Sequence, residues 1–313
     1  MITDLTESLW SGQRSVITIG AYDGVHLGHQ VVIREVRLLA EQQNCRSVVV
    51  TFDRHPASIV RPESAPKLLT DLEQKLELLA ATGVDATVLV RFDEQQSFES
   101  ATDFVQRVLV RALNTSVVVV GEDFHFGRAR SGNVALLREL GKTNDFEVQP
   151  RELVIRADGV EEPISSTAIR RALAGGQVEL AAQLLGRPFE ARGSVVQGDQ
   201  RGRQLGFPTA NLMVSGQVSL PADGVYAGWY LRPDGERHAC AINLGRRPTF
   251  YEHADHSLLE AHLLDFDEDL YNENARVQFA NFLRSERKFD GFEALVTQLK
   301  LDIEHARAAL NLH

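Results

Sequence analysis

The first half of the chain alternates two hydrophobic periods. Short β-branched runs at 16–19, 48–51, 87–90 and 117–120 read as strands. Stretches with apolar residues at helical spacing lie between them, at 30–42, 71–81 and 102–113. In the first of these, Val32, Val36, Leu39 and Ala40 make one stripe. Thr70 or Asp71 supplies an N-cap for the second, and Gly83 a C-terminal stop. The run 117–120 is continuous valine, the pattern of a parallel strand covered on both faces. Such alternation predicts βαβ units and a Rossmann-like α/β fold on a parallel sheet.

The texture changes after about residue 186. A helical stretch, 178–185, is broken by Gly186-Arg187-Pro188. Short β-patterns follow at 189–197, 225–231, 238–244, 258–264 and 275–282, with turn signals such as Pro233-Asp234-Gly235 between them. They predict a C-terminal antiparallel β-barrel. The final segment, 292–310, sets Phe292, Leu295, Val296, Leu299 and Ile303 on one stripe and predicts a terminal helix. The 313 residues therefore divide into two expected domains, 1–186 and 187–313.

Composition narrows the class. A net charge of −10 argues against a general nucleic-acid binder, yet it permits anionic nucleotides held by local Arg and helix ends. Two Cys make no disulfide framework, and no apolar run reaches membrane-spanning length. Met1-Ile2-Thr3-Asp4-Leu5 lacks the layout of a signal peptide, so a cytoplasmic location without membrane partners is expected.

Candidate chemistry falls in loops expected at the carboxyl ends of strands. The first is Gly20-Ala21-Tyr22-Asp23-Gly24-Val25-His26-Leu27-Gly28-His29, a strand-to-helix turn where helix amides favour phosphate. His26 and His29, with Gly20, Asp23 and Gly24, read as an anion site that stabilises charge at phosphorus. The same His pair would also serve as zinc ligands or as ordinary surface residues. Against zinc, Cys45 and Cys240 lie in no C-x-x-C pair. Asp53-Arg54-His55-Pro56 and Gly121-Glu122-Asp123-Phe124-His125-Phe126-Gly127 converge on the same place. A further segment, Ile164-Ser165-Ser166-Thr167-Ala168-Ile169-Arg170-Arg171, reads either as a plain N-cap with solvated arginines or as a second phosphate site.

These segments, in this order, resemble the adenylyltransferase half of prokaryotic bifunctional FAD synthetases. The second half of the chain resembles their riboflavin kinase half. Its motifs are Gly202-Arg203-Gln204-Leu205-Gly206-Phe207-Pro208-Thr209-Ala210-Asn211-Leu212, then Asn243-Leu244-Gly245-Arg246-Arg247-Pro248-Thr249-Phe250. Leu259-Glu260-Ala261-His262, Asp269-Leu270-Tyr271 and Arg284-Ser285-Glu286-Arg287-Lys288-Phe289 complete them. The resemblance implies a nucleotidylyltransferase domain that joins FMN to the α-phosphorus of ATP, giving FAD and pyrophosphate. His26, His29, Ser166, Thr167 and Arg170 would contact the triphosphate. Asp123, with Phe52, Phe124 and Phe126, would face the flavin, although core packing explains the three rings equally well.

For the barrel, the resemblance implies phosphorylation of riboflavin by ATP, with ADP as product. Glu260 would take the proton of the 5′-hydroxyl, whereas simple strand alternation would leave it facing solvent. Thr209 and Asn211 would hold Mg²⁺ and ATP phosphates, Gly202 and Gly206 would shape the loop over them, and Arg284, Glu286 and Phe289 would line the flavin. Two positions depart from the family pattern: Tyr22 replaces a usual Phe, and Asn272 a usual Gly. A homo-oligomer, a chain with one surviving activity and a non-catalytic flavin binder stay open at this point.

Overall fold

A computed structural model describes residues 5, 8–10, 12–198, 202, 206–245 and 256–312. The chain forms two compact units, 1–166 and 167–313. Unit one runs β1 (Ser15–Ile19), α1 (Leu27–Gln42), β2 (Arg46–Phe52), α2 (Ala57–Val60), α3 (Leu72–Ala81), β3 (Ala86–Val90), α4 (Glu94–Ser97) and α5 (Ala101–Phe104). It continues with β4 (Thr115–Gly121), β5 (His125–Phe126), β6 (Gly132–Asn133), α6 (Val134–Asn144) and β7 (Glu147–Arg151). Five strands pair in the order β3-β2-β1-β4-β7, all parallel. The order reverses at β1, which opens a crevice at the carboxyl ends of β1 and β4.

The valine run of β4 explains its own burial. Val118 and Val120 join one core with Ile17, Ile19, Val48 and Val50, while Val117 and Val119 face the other way against Val16 and Val36. Period two with both faces covered leaves no polar position.

The sheet has an edge strand that hydrophobic pattern did not predict, β7. Of Glu147-Val148-Gln149-Pro150-Arg151 only Val148 is buried, and Pro150 is tolerated because an edge strand leaves one backbone side unpaired. The helix expected at 102–113 is present, but it widens to π-winding over Val105–Ala112. Its last carbonyls are met from the strands: Thr115 Oγ1 donates to Leu109 O (2.8 Å) and Ser15 Oγ to Leu113 O (2.7 Å).

Helix α7 (Ser166–Ala174) begins on the last residue of unit one and otherwise belongs to unit two, where α8 (Val178–Leu185) follows. Strands β8 (Phe189–Val196), β9 (Ala210–Ser215), β10 (Gly224–Leu231), β11 (Arg237–Gly245), β12 (His256–Leu263) and β13 (Asn274–Arg284) close a barrel in the order β10-β11-β12-β9-β8-β13. Helix α9 (Phe292–Ala309) follows. Sequence pattern found five of the six strands. It missed β9, a short strand whose inner face is Ala210, Leu212 and Val214; Asn211 lies on the opposite face at 7% exposure, where it lines a cavity.

Candidate active sites

The α/β unit builds its site on a strained turn. After β1, the Gly20 N–H donates to Val50 O (3.0 Å), so the chain leaves the sheet beside β2. Tyr22, Gly24 and Val25 then take φ of 50°, 82° and 40°. Glycine accepts this; a β-branched valine resists it and must be held by its surroundings. Asp23 does part of the holding. Its buried carboxylate accepts from the Leu69 N–H (2.9 Å) and the Thr70 N–H (3.2 Å), while the Gly24 N–H donates to Thr70 Oγ1 (3.2 Å). The Asp23 carboxylate expected on ATP is thus engaged in shaping the loop.

His26 is the N-cap of α1, and its Nδ1 accepts from the His29 N–H at 3.4 Å. A neutral ring bonded in this way carries its proton on Nε2. The two imidazoles stack, with centroids 3.6 Å apart and planes 19° from parallel, and Tyr22 lies 4.8 Å from His29. Burial, then the neighbouring His26, holds the His29 pKa well below the usual imidazole range, so His29 is neutral at pH 7. Its Nδ1 is buried with no hydrogen-bond partner among the described residues. The extra hydroxyl of Tyr22 meets Thr18 Oγ1 at 2.7 Å in the interior, and burial drives its pKa upward. Ser166 Oγ donates to the Asp23 carbonyl (2.9 Å), tying that segment to the turn. Thr167 and Arg170 belong to the second unit.

The loop after β4 holds the expected aromatic groups. Phe124 and Phe126 stack at 5.4 Å and 14°. Phe126 is buried in the main core, whereas Phe124 is half-buried and Asp123 exposed. Phe52 meets Phe92 edge-on at 5.5 Å.

Among the described residues, two cavities of the barrel meet at the motif residues. One, of about 270 Å³, is lined by Gly202, Phe207, Thr209, Asn211, Asn243, Glu260, Arg284, Glu286, Phe289 and the inner face of α9. The other, of about 410 Å³, is lined by Val195, Gly198, Leu263, Phe266, Leu270 and Tyr271, and shares Thr209 and Asn211 with the first. Glu260 lies opposite Asn211 on β9 and Asn243 on β11. Asn243 Nδ2 donates to Glu260 Oε2 at 3.2 Å, which fixes that carboxylate. Asn211 Nδ2 donates to Thr209 O (3.3 Å), leaving Oδ1 as the acceptor face of the amide. Gly202 passes so close to the Phe207 carbonyl that a Cβ would collide with it, and Phe207 N–H donates back to Gly202 O (2.8 Å).

Comparison with known proteins joins these two sites. The FAD synthetase family model matches residues 9–168, and the riboflavin kinase family model matches residues 185–310. A bifunctional riboflavin kinase/FMN adenylyltransferase of Listeria monocytogenes is 40% identical over 97% of this chain and 95% of its own length. The chain belongs to the bifunctional riboflavin kinase/FMN adenylyltransferase family. The Haemophilus influenzae and Escherichia coli K12 members are 38% and 37% identical, over 96% and 95% of this chain and 95% and 93% of theirs. A crystal structure described as a macrolide-efflux protein from Streptococcus pneumoniae has the same fold, with a TM-score of 0.85 at 31% identity over 98% of this chain and 99% of that one. Among the described residues, no helix is long and apolar enough to cross a membrane.

Within this bifunctional family, the departure at Asn272 is accommodated: it takes φ of 66° and its N–H donates to Val195 O (3.0 Å). Motif residues 203–205 and 246–250 lie outside the described residues. Among the described residues, no cluster of three or more His, Cys, Asp or Glu side chains is arranged for a metal. Thr209 and Asn211 nevertheless suit Mg²⁺ in a kinase, because that ion takes a few hard protein oxygens and completes its shell with phosphate and water.

Sequence reasoning missed the partners of Arg284. Its guanidinium pairs with Asp302 through two bonds, Nη2–Oδ2 at 2.6 Å and Nε–Oδ1 at 2.8 Å. Gln298 Nε2 donates to Asp302 Oδ1 (2.7 Å), and Arg287 donates to Gln298 Oε1. Arg284 and Arg287 both approach the Phe289 ring, at 5.8 and 5.0 Å. Arg284, expected on the flavin, is therefore engaged in binding α9 to β13. Gln298 and Asp302 are four apart beside Leu295 and Leu299; two buried polar residues in an apolar stripe were the available signal. Asp302→Ala leaves the Arg284 charge without its partner. It should lower the stability of the barrel unit by about 3 kcal/mol, read from its urea transition. Burial, then the Asp223 carboxylate, raises the pKa of Glu286.

Proposed function

We propose that this chain makes FAD in two steps: ATP phosphorylates riboflavin to FMN in the barrel, and the α/β unit then joins FMN to AMP from a second ATP, releasing pyrophosphate. The observation that carries the reading is the meeting of two barrel cavities at Thr209 and Asn211, beside Glu260. Two substrates approaching one shared face suit direct group transfer. Riboflavin would occupy the cavity under α9 and ATP its neighbour. Glu260, held by Asn243, accepts the 5′-hydroxyl proton as that oxygen attacks the γ-phosphorus. Thr209 and Asn211 would hold Mg²⁺, which when bound neutralises phosphate charge. Gly202 and Gly206 shape the loop over the phosphates.

In the α/β unit the work is alignment and charge stabilisation. The α1 amides, His26 through Nε2–H and His29 receive the triphosphate, with Ser166 as a further contact. Asp23 acts through the loop it shapes. Phe124 presents a face to the flavin, Phe126 supports it from the core, and Asp123 and Phe52 border the same loop cluster. We place the division between catalytic halves at 186/187, where Gly186 turns left-handed (φ 74°) after α8. A cytoplasmic enzyme fits this chemistry, since both steps draw on ATP.

Incubation with riboflavin, ATP and Mg²⁺, followed by chromatography of the flavins, tests the reading. FMN should appear first and FAD after it. FMN without FAD removes the adenylylation step, and no product at all favours a flavin-binding protein.

A further inference from the structure

One buried cation in the α/β unit has no part in the chemistry above. Lys75 lies in the first turns of α3, only 8% exposed, on a face it shares with Leu79. Its Nζ donates to Phe52 O, the last carbonyl of β2, at 2.7 Å, and points to Ala21 O at 3.4 Å. Ala21 immediately precedes the three left-handed residues that aim His26. Its carbonyl also accepts from Thr51 Oγ1 at 3.1 Å, so the strand end and the loop converge on one point.

Burying an ammonium is costly, and such a group persists where its bonds do something apolar packing cannot. Here a leucine would fill the stripe equally well. What a leucine cannot do is link the carbonyl ends of two neighbouring strands while facing two carboxylates. Left-handed Tyr22 and Val25 store backbone strain, and strain persists only where surrounding bonds over-determine it. Asp23 holds the outer side of the turn through Leu69 and Thr70. Lys75 and Thr51 reach its root at Ala21 by side chain.

We propose that Lys75 is a positioning residue for adenylyl transfer, clamping the root of the His26–His29 turn to the end of β2. The proposal rests on the adenylylation reading given above. The charged and titratable groups around the clamp come from three elements. The loop after β1 contributes Asp23 and the His26–His29 pair, the end of β2 contributes Asp53 with its partner Arg54, and α3 itself contributes Asp71 and Glu73. Burial lowers the Lys75 pKa to about 8, against the opposing pull of Asp23 and then Asp53.

The sign of the pH effect separates positioning from mere stability. Below about pH 8 the ammonium is charged and the clamp complete; above it the charge is lost. Between that value and the ordinary lysine pKa the unfolded chain binds the proton more tightly than the native one. This group therefore makes folding more favourable as pH rises through that window. A fall in adenylylation rate there cannot come from Lys75 unfolding the unit.

The test uses the full chain and two readouts, FMN to FAD and riboflavin to FMN. Lys75→Met should lower kcat for FAD formation by about 10- to 100-fold, the cost of a small misplacement of reacting groups, and leave riboflavin phosphorylation unchanged. The wild-type rate of FAD formation should fall as pH rises through about 8, and Lys75→Met should lose that limb. Lys75→Arg, which keeps the charge at every accessible pH, should recover part of the rate and also lack the limb. An unchanged kcat in Lys75→Met, or a wild-type profile flat through that region, overturns the proposal. The wild-type profile decides the matter even if the methionine variant does not fold. No FAD from the wild-type protein at any pH would instead remove the adenylylation reading beneath it.

Discussion

Glu260→Gln is expected to lower FMN formation from riboflavin by about 10²- to 10⁴-fold while FMN-to-FAD conversion stays at its wild-type rate. The substitution keeps the side-chain volume and the strand, so β12 should still pair with β9 and β11 through Asn211 and Asn243. What it removes is the lone pair that takes the hydroxyl proton. A primary alcohol is a poor nucleophile at neutral pH, and Glu260 is oriented by the Asn243 amide, whereas Asp302 on the same lining is engaged by Arg284. Glu286 lines the same cavity, but it is Glu260 that the strand register sets opposite Asn211 and Asn243. The check is kcat at saturating ATP with flavins resolved by chromatography.

The mirror-image result is expected for the histidine turn. His26→Ala combined with His29→Ala should reduce FAD formation from FMN by about 10²- to 10³-fold, the usual effect of losing preorganised donors at developing charge. Riboflavin phosphorylation should be unaffected. Because His29 is neutral at pH 7, the pair works by directed hydrogen bonds, with no full positive charge on His29. Some loss of stability will accompany the change, about 1 kcal/mol, because His26 also caps α1. The intact kinase rate controls for folding of the second half.

The fold was legible where one physical cause dominated. Four of the five strands of the parallel sheet and the amphipathic helices declare themselves by period, because burial on both faces or on one stripe leaves no other pattern. Elements answering to two demands at once were hidden. β9 packs Leu212 and Val214 inward while Asn211 lines a cavity on its other face, and β7 carries Pro150 at an edge. Motifs singled out loops that the structure brings together: His26, His29 and Ser166 around one turn, and Thr209, Asn211 and Glu260 around one barrel face. They did not reveal what each side chain touches. Asp23 and Arg284 carry charges that suit ATP or flavin, yet Asp23 holds backbone amides and Arg284 holds Asp302. Such commitments depend on tertiary partners far away in sequence, which spacing does not encode.

The central claim is that one chain holds two separate catalytic sites, one in each half. Measuring both reactions on both variants tests it most directly. Glu260→Gln should lose riboflavin phosphorylation alone, and the His26/His29 double variant should lose adenylylation alone. If either variant, folded by circular dichroism, lost both reactions together, the division into two sites would be contradicted.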